Sequence, residues 1–174
     1  HEWIDYIMPQ CYWAIEHSGA NFVELTKWWS WAVRNKKVNF YTGLGIYMGA
    51  DPSTEGSYKY WKYNENEIQL QLLNAGQYPE FDGACFYKYS SLKQTSSDIV
   101  NHAVNLISND YWAKKIPGAI SKYYAPLLDE VAPTMINYDE QTSTISFNEV
   151  ENSRGYIIYK VPKGTILDKN DINH

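Results

Sequence analysis

The sequence predicts an α/β fold of three parallel strands alternating with helices, followed by a short all-β segment. Three apolar runs of strand length begin about 34 and about 44 residues apart, as right-handed parallel crossovers require. Segments with helical periodicity fill the intervals between these runs. After Pro117 the helical periodicity stops, and short alternating segments at 134–138, 143–147 and 155–161 indicate the start of a β-sandwich.

The first predicted strand, residues 3–13 (WIDYIMPQCYW), is apolar on both parities. This pattern predicts a strand that is buried on both faces, as in a parallel sheet. Its carboxyl end changes to hydrogen-bonding and stacking side chains: Gln10, Tyr12 and Trp13. Because α/β proteins place their sites at the carboxyl ends of strands, these three residues are the leading candidates for substrate contact.

Each predicted helix begins at a capping residue that precedes an apolar helical stripe. The predicted caps are Asn21 with Glu24, Asn64 with Glu67, and Ser96 or Ser97. The long connection at 48–63 far exceeds a plain βα turn. Its aromatic residues are Tyr58, Tyr60 and Trp61. They either line a cleft or hold the loop in place by packing, and the second interpretation is slightly favoured.

The second and third predicted strands, residues 38–47 (VNFYTGLGIY) and 81–89 (FDGACFYKY), end in Tyr47 and Tyr89. Both tyrosines are candidates for substrate contact at the level of the first strand's tip. The pair Gly43 and Gly45 lies inside a strand and lacks the lysine of a phosphate loop, so it indicates close packing.

Composition excludes several classes of function. The net charge of −5, with scattered Lys and Arg, offers no basic face for nucleic acid. No run approaches the roughly 18 apolar residues of a membrane span. The four histidines show no metal-ligand spacing, and no cofactor is predicted. The two cysteines, Cys11 and Cys85, are predicted to be reduced core residues. The 7 Trp and 16 Tyr can be core residues, but their polar groups and flat faces also suit a wet binding surface.

Three βα units cannot close an eight-stranded barrel of roughly 250 residues. The first part of the chain is therefore either a small open sheet or the last part of a barrel, in an excised or truncated chain that begins at His1 without a visible signal peptide. The final segment is also shorter than the roughly 100 residues of a full sandwich.

Several segments together resemble the glycosyl hydrolase-like 10 family of bacterial proteins, formerly a domain of unknown function. These are, in order, DYIMPQCYW, LTKWW, VNFYTGLGIY, FDGACFYKYSSL and GYIIYKV. The resemblance implies a TIM (β/α)8 barrel of which this chain supplies strands 6–8, and then a fibronectin type III-like or Ig-like module. It also implies hydrolysis of a cell-wall glycan or related polysaccharide, and an extracellular or cell-surface location. Met48 departs from relatives that carry Lys there, which puts a cation at that position in doubt.

The acidic catalytic segment that the family resemblance implies has no counterpart in this chain. Glycoside hydrolysis normally requires two carboxyl groups roughly 5 to 9.5 Å apart. Glu16 and Asp51 lie in βα loops and are weak catalytic candidates, whereas Asp5 and Asp82 lie at the amino ends of strands. His17, beside Glu16, is a weaker candidate for a site role.

The sequence thus predicts the carbohydrate-binding side of a glycoside hydrolase-like cleft, and no turnover by this chain alone. The predicted organisation is a partial barrel over 1–124, a linker over 125–133 and the start of a β-sandwich over 134–174. Two alternatives stay open: a non-catalytic carbohydrate-binding module, and an incomplete fragment without independent activity.

Overall fold

The fold was analysed in a computed structural model that describes residues 3–51, 53–93, 96–113, 121–122, 131–151, 153, 155–156, 158 and 160–164. The chain divides into two compact units, His1–Leu128 and Asp129–His174. The first unit is mixed α/β with a parallel three-stranded sheet, and the second contains a small antiparallel sheet.

The sheet of the first unit has the strand order β1-β2-β3, and both neighbouring pairs are parallel. Its strands are β1 (Tyr6–Ile7), β2 (Asn39–Leu44) and β3 (Phe81–Phe86). Its α-helices are α1 (Phe22–Val33), α2 (Tyr60–Tyr63), α3 (Glu67–Ala75) and α4 (Asp98–Leu106). Short 3-10 segments follow at Ile46–Gly49, Gly56–Tyr58 and Tyr89–Leu92, and a π-helical turn at Ile107–Tyr111 extends α4.

Two of the three predicted helix caps are confirmed. The Asn21 side chain accepts hydrogen bonds from the backbone N–H groups of Val23 (2.8 Å) and Glu24 (3.4 Å) at the start of α1. Ser97 Oγ likewise accepts from the N–H of Val100 at the start of α4.

The predicted capping box of Asn64 with Glu67 is wrong. The Asn64 carboxamide accepts from the N–H of Asn66 and donates to the Glu67 carboxylate at 3.2 Å. The N–H of Glu67 bonds the backbone carbonyl of Asn64 rather than its side chain. The Glu67 carboxylate therefore does not complete a capping box, and it also accepts hydrogen bonds from Ile15 and Gln71.

The core of the first unit lies on one face of the sheet, between the strands and the helices. Phe40, Thr42 and Leu44 of β2 point to that side and are fully buried. The core cluster also includes side chains from every helix-bearing segment: Phe22, Ile46, Trp61, Ile68, Leu72, Phe86, Val100 and Ala103. The alternate residues of β2 and β3 consequently point to the opposite face.

The prediction that residues 3–13 form a strand buried on both faces is wrong. The strand itself covers only Tyr6–Ile7, extended by a bridge between Gln10 and Gly43. Trp3, Ile4 and Tyr6 are exposed by 85%, 52% and 59%. The physical reason is that the core covers only one face of the sheet, and apolar parity alone does not show whether another element covers the second face.

The second and third strands end earlier than predicted. β2 ends at Leu44 and β3 at Phe86, so Tyr47 and Tyr89 lie in 3-10 segments beyond them. Cys11 is buried and free as predicted, but the prediction of a buried Cys85 is wrong: this free thiol is exposed. Cys85 alternates with the core residue Phe86 and therefore lies on the uncovered face of the sheet.

The second unit contains one hairpin, in which β4 (Asn137–Asp139) pairs antiparallel with β5 (Thr144–Ser146). In the turn between these strands, the Asp139 carboxylate accepts from the N–H groups of Gln141 and Thr142. No strand forms among the described residues of 155–161. The predicted linker at 125–133 lies largely outside the described residues, and the predicted division into barrel and sandwich stays a prediction.

Candidate functional site

Three tyrosines meet where the three parallel strands deliver their carboxyl ends. The rings of Tyr12 and Tyr87 stack, with centroids 5.8 Å apart and an interplanar angle of 27°. The ring of Tyr47 meets both edge-on, at 6.1 Å from Tyr12 and 5.7 Å from Tyr87. These centroid distances and angles are the favourable stacked and T-shaped geometries. We call Tyr12, Tyr47 and Tyr87 the tyrosine triad.

Close packing at two glycines of the middle strand region and a hydrogen bond from α2 hold Tyr12 in the triad. A Cβ at Gly45 would lie 3.0 Å from Tyr12 Cγ, so the glycine leaves the space that the phenol ring occupies. A Cβ at Gly43 would lie 2.8 Å from the carbonyl oxygen of Pro9. The predicted close packing at these glycines is confirmed. The indole N–H of Trp61 donates to the Tyr12 carbonyl at 3.0 Å, which fixes the backbone from the other side.

A second aromatic group continues from the triad along the loop after β1. The His17 ring lies 4.9 Å from the ring of Tyr58 and 6.5 Å from that of Trp13. His17 Nδ1 accepts hydrogen bonds from the N–H groups of Gly19 (3.2 Å) and Ala20 (3.0 Å), which orients the imidazole. Trp13 and His17 of this loop therefore form one group of rings with Tyr58 of the connection after β2.

The phenols of Tyr12 and Tyr47 stay protonated at neutral pH. Burial raises the pKa of Tyr12, and the neighbouring Tyr47, Tyr87 and Cys85 raise it further. The pKa of Tyr47 is also raised by burial, and then by the charge of Asp51 nearby. Protonated phenols both donate and accept hydrogen bonds, so the triad is equipped to bind hydroxyl groups.

The carboxylates near the strand ends have mostly structural partners. Asp51 accepts from the N–H (2.8 Å) and hydroxyl (2.6 Å) of Ser53, and these hydrogen bonds lower its pKa. Glu67 is 1% exposed, and burial raises the pKa of its carboxyl group. Glu16 is exposed and lies close enough to Glu67 to raise the Glu67 pKa further. The catalytic candidacy of Glu16 and Asp51 stays a prediction.

At the opposite strand ends, Asp82 is structural, as its position at an amino end predicted. Its carboxylate accepts from the N–H of Phe40 at 2.8 Å and lies 2.6 Å from Lys122 Nζ. The N–H of Lys122 also bonds the Asn39 side chain at 3.0 Å. This cluster holds the start of β2 beside β3, far along the strands from the triad.

Among the predicted contact residues, the structure brings together Tyr12 and Tyr47, with Trp13 on the adjoining loop. Gln10 is exposed at its bridge with Gly43. Tyr89 is 74% exposed, with Lys93 Nζ 5.5 Å from its ring centroid. The substrate-contact roles of Gln10, Tyr12, Trp13, Tyr47 and Tyr89 stay predictions.

Sequence reasoning missed Tyr87, which occupies the place at the triad expected of Tyr89. The predicted third strand ends at Tyr89, three residues beyond the observed end of β3 at Phe86. The first residue after that observed end is Tyr87. Parity alone does not separate the two tyrosines, since Tyr87 and Tyr89 both continue the alternation of Gly83 and Cys85. Glu67 was also missed, because its position near a helix start favoured a capping role.

An open groove borders the uncovered face of the sheet. Its volume is about 560 Å³, and Tyr6, Met8, Tyr41, Cys85, Tyr89 and Trp112 contribute to its lining. Tyr6 and Tyr41 are in edge-on contact at 6.2 Å. The volume falls in the range of small-molecule sites, roughly 300–1,000 Å³.

The described residues contain no group of three or more His, Cys, Asp or Glu that could hold a metal ion. No helix in this part of the chain is long and apolar enough to cross a membrane.

Comparison with known proteins gives a distant relationship. No family model matches the chain. The chain is similar to the glycosyl hydrolase YngK of Bacillus subtilis (strain 168), with 29% identity over 133 residues. The match covers 75% of this chain but 23% of the relative. The chain therefore spans about a quarter of the length of this curated relative.

Proposed function

We propose that this chain forms the carbohydrate-binding side of a cleft in a glycoside hydrolase-like protein. The proposed parent belongs to the glycosyl hydrolase-like 10 family and acts outside the cell or at its surface. Its substrate is a cell-wall glycan or another polysaccharide. The first unit then corresponds to the end of a (β/α)8 barrel, and residues 134–174 to the start of a fibronectin type III-like module.

The observation that carries this proposal is the tyrosine triad at the carboxyl ends of three parallel strands. Sugars present apolar C–H faces and a rim of hydroxyl groups. Flat rings with polar tips match both features, and a partly exposed group of them offers contact area at little conformational cost. Similarity to a protein named glycosyl hydrolase supports the same class of ligand.

The proposed contacts to the glycan come from the triad, the loop after β1 and the groove. Tyr12, Tyr47 and Tyr87 stack on sugar faces, and Trp13 extends the surface. Gln10 and Tyr89 bind hydroxyl groups at its margins. Neither Glu16 nor Asp51 is proposed to act as half of a hydrolytic pair within this chain.

A second candidate is a non-catalytic carbohydrate-binding module. The hydrogen bonding of two carboxylates favours this candidate. The N–H and the hydroxyl of Ser53 donate to Asp51, and three N–H donors surround Glu67. An exposed pair free to act on a glycosidic bond is therefore absent from these two positions. The third candidate, a fragment without independent activity, predicts neither binding nor turnover.

Glycan binding by the full 174-residue chain tests the proposal. Affinity electrophoresis and tryptophan fluorescence titration against soluble peptidoglycan fragments, chitin oligosaccharides and β-glucans should reveal binding to at least one class. Tyr12→Ala should weaken that binding by about tenfold, the effect of removing a central aromatic contact. Tyr63→Ala is the matched control, since Tyr63 is 80% exposed in α2 outside the triad.

Hydrolysis separates the candidates further. We expect no release of reducing sugar by the isolated chain. Binding that Tyr12→Ala and Tyr63→Ala weaken equally would reject the triad as the contact surface. Absence of binding to every glycan class would reject the proposed function and leave the third candidate.

A further inference from the structure

The backbone of the loop after β1 is held by side chains from the second βα unit. The Trp61 indole N–H donates to the carbonyl of Tyr12 at 3.0 Å. The Gln71 carboxamide donates to the carbonyl of Trp13 at 3.2 Å. Both donors are buried, with 2% and 0% exposure, so water does not compete for these two carbonyls.

Glu67 holds the same loop two residues after Trp13, at Ile15. Its Oε1 accepts from the N–H of Ile15 and from the Gln71 carboxamide, each at 2.7 Å. Its Oε2 accepts from the Asn64 carboxamide at 3.2 Å. Gln71 thus binds Glu67 and the loop at the same time, and Glu67 orients Gln71 as well as the loop.

The cost of burying the Glu67 carboxylate points to a specific role. A buried ionisable side chain is costly unless several donors surround it, and three do so here. Glu67 is also the first residue of α3, where the helix dipole favours a negative charge. One of its two shortest hydrogen bonds nevertheless leads out of the helix, to the backbone N–H of Ile15, 52 residues earlier in the chain.

We propose that Glu67 is a positioning residue that sets the placement of Tyr12 and Trp13 for glycan contact, through Ile15 and through Gln71. This inference rests on the proposed function of those two aromatic residues. Glu67 itself does not contact the ligand. Without its carboxylate the loop backbone loses the hydrogen bond at the N–H of Ile15. The Gln71 carboxamide, which binds the Trp13 carbonyl, also loses the group that orients it.

Three variants separate positioning from general stability. Glu67→Met removes the acceptors and keeps a side chain of similar length. Glu67→Gln keeps an oxygen acceptor for the N–H of Ile15. Leu72→Ala removes core packing from the same helix but leaves the contacts to the loop, so it serves as the destabilised control.

The first measurement is amide hydrogen exchange at Ile15 by NMR, with the amide of Thr42 in β2 reporting global unfolding. Glu67→Met should increase the exchange of Ile15 relative to Thr42 by at least about tenfold, because the N–H of Ile15 loses its hydrogen-bond acceptor. Glu67→Gln should restore most of the protection, and Leu72→Ala should change both amides equally. Equal changes at both amides in Glu67→Met would overturn the proposal.

The second measurement is the affinity for whichever glycan the wild-type chain binds. Glu67→Met should weaken binding by about tenfold, whereas Glu67→Gln and Leu72→Ala should stay within about threefold of wild type. An equal loss in Glu67→Met and Leu72→Ala would assign Glu67 a merely structural role. If the wild type binds no glycan, the proposed function fails, and amide exchange at Ile15 alone decides whether Glu67 holds the loop.

Discussion

The two faces of the three-stranded sheet have the same strands and different environments. On the covered face, Phe40 and Leu44 are fully buried against the helices. On the uncovered face, Tyr6, Met8 and Tyr87 are exposed by 59%, 40% and 50%. The difference teaches that strand parity in this chain separates the residues of the core from exposed aromatic and apolar ones. Along each strand, residues that pack in the core alternate with residues that are candidates for ligand contact.

The largest difference should appear when equivalent side chains are truncated on the two faces. Leu44→Ala should lower the free energy of unfolding by about 2–5 kcal/mol, because it leaves a cavity in the core. Tyr6→Ala, on the uncovered face, should change it by about 0.5 kcal/mol. Urea denaturation followed by circular dichroism measures both values. Similar losses for the two variants would show that the uncovered face is also packed.

A Cβ at Gly43 tests how closely the first two strand segments approach. Gly43→Ala should lower the free energy of unfolding by about 1–3 kcal/mol, because the new atom meets the Pro9 carbonyl at 2.8 Å. Gly19→Ala is the matched control, since its Cβ would lie 3.7 Å from the nearest His17 atom. Thermal denaturation of the two variants gives the comparison, and an unchanged Gly43→Ala would contradict the close approach.

The uncovered face itself divides into the triad and its margin. Tyr87→Ala should weaken glycan binding by about tenfold, or about 1.4 kcal/mol, since Tyr87 stacks on Tyr12. Tyr89→Ala should weaken it by less than about threefold, because Tyr89 lies beyond the strand at the groove's margin. Fluorescence titration with the bound glycan measures both. A larger effect at Tyr89 would move the contact surface from the triad into the groove.

The smallest expected effect concerns pH and the buried Glu67 carboxyl. Its pKa in the folded chain is raised above the ordinary value of 4.5, chiefly by burial. Its favourable contribution is therefore fully present below about pH 4.5 and is lost as the pH rises through the raised pKa. Glu67→Gln should gain stability relative to wild type as the pH rises above about 4.5.

Asp51→Asn is the control for that pH series. Hydrogen bonds from Ser53 lower the Asp51 pKa below its ordinary value of 3.8, so its contribution is lost only as the pH falls through the lowered value. The stability difference between Asp51→Asn and wild type should stay constant above about pH 4.5. Urea midpoints across the series measure both differences. A constant difference for Glu67→Gln as well would contradict the raised pKa.

The sequence was sufficient for features that depend on local interactions. Helical stripes and the caps Asn21 and Ser97 were predictable, because they rest on hydrogen bonds within one turn. The order of three βα units followed from the spacing of apolar runs. The small glycines at 43 and 45 indicated close packing, and the structure gives the contacts that require it.

Features that depend on distant parts of the chain were not predictable. Apolar parity could not show which face of β1 is covered, since coverage depends on elements elsewhere. The exchange of Tyr89 for Tyr87 followed from a strand boundary three residues in error, and boundaries are set by tertiary packing. The burial of Glu67 depends on a partner 52 residues away, which no local pattern reveals.

The hydrogen bond from Trp61 to the Tyr12 carbonyl has a consequence for protein engineering. Loops of α/β proteins are often exchanged one at a time to alter specificity. Here the second loop and the helix after it supply the donors that hold the first loop, so the two segments form one transferable unit. A graft of residues 11–20 into another scaffold should therefore keep its shape only when residues 58–71 are transferred with it.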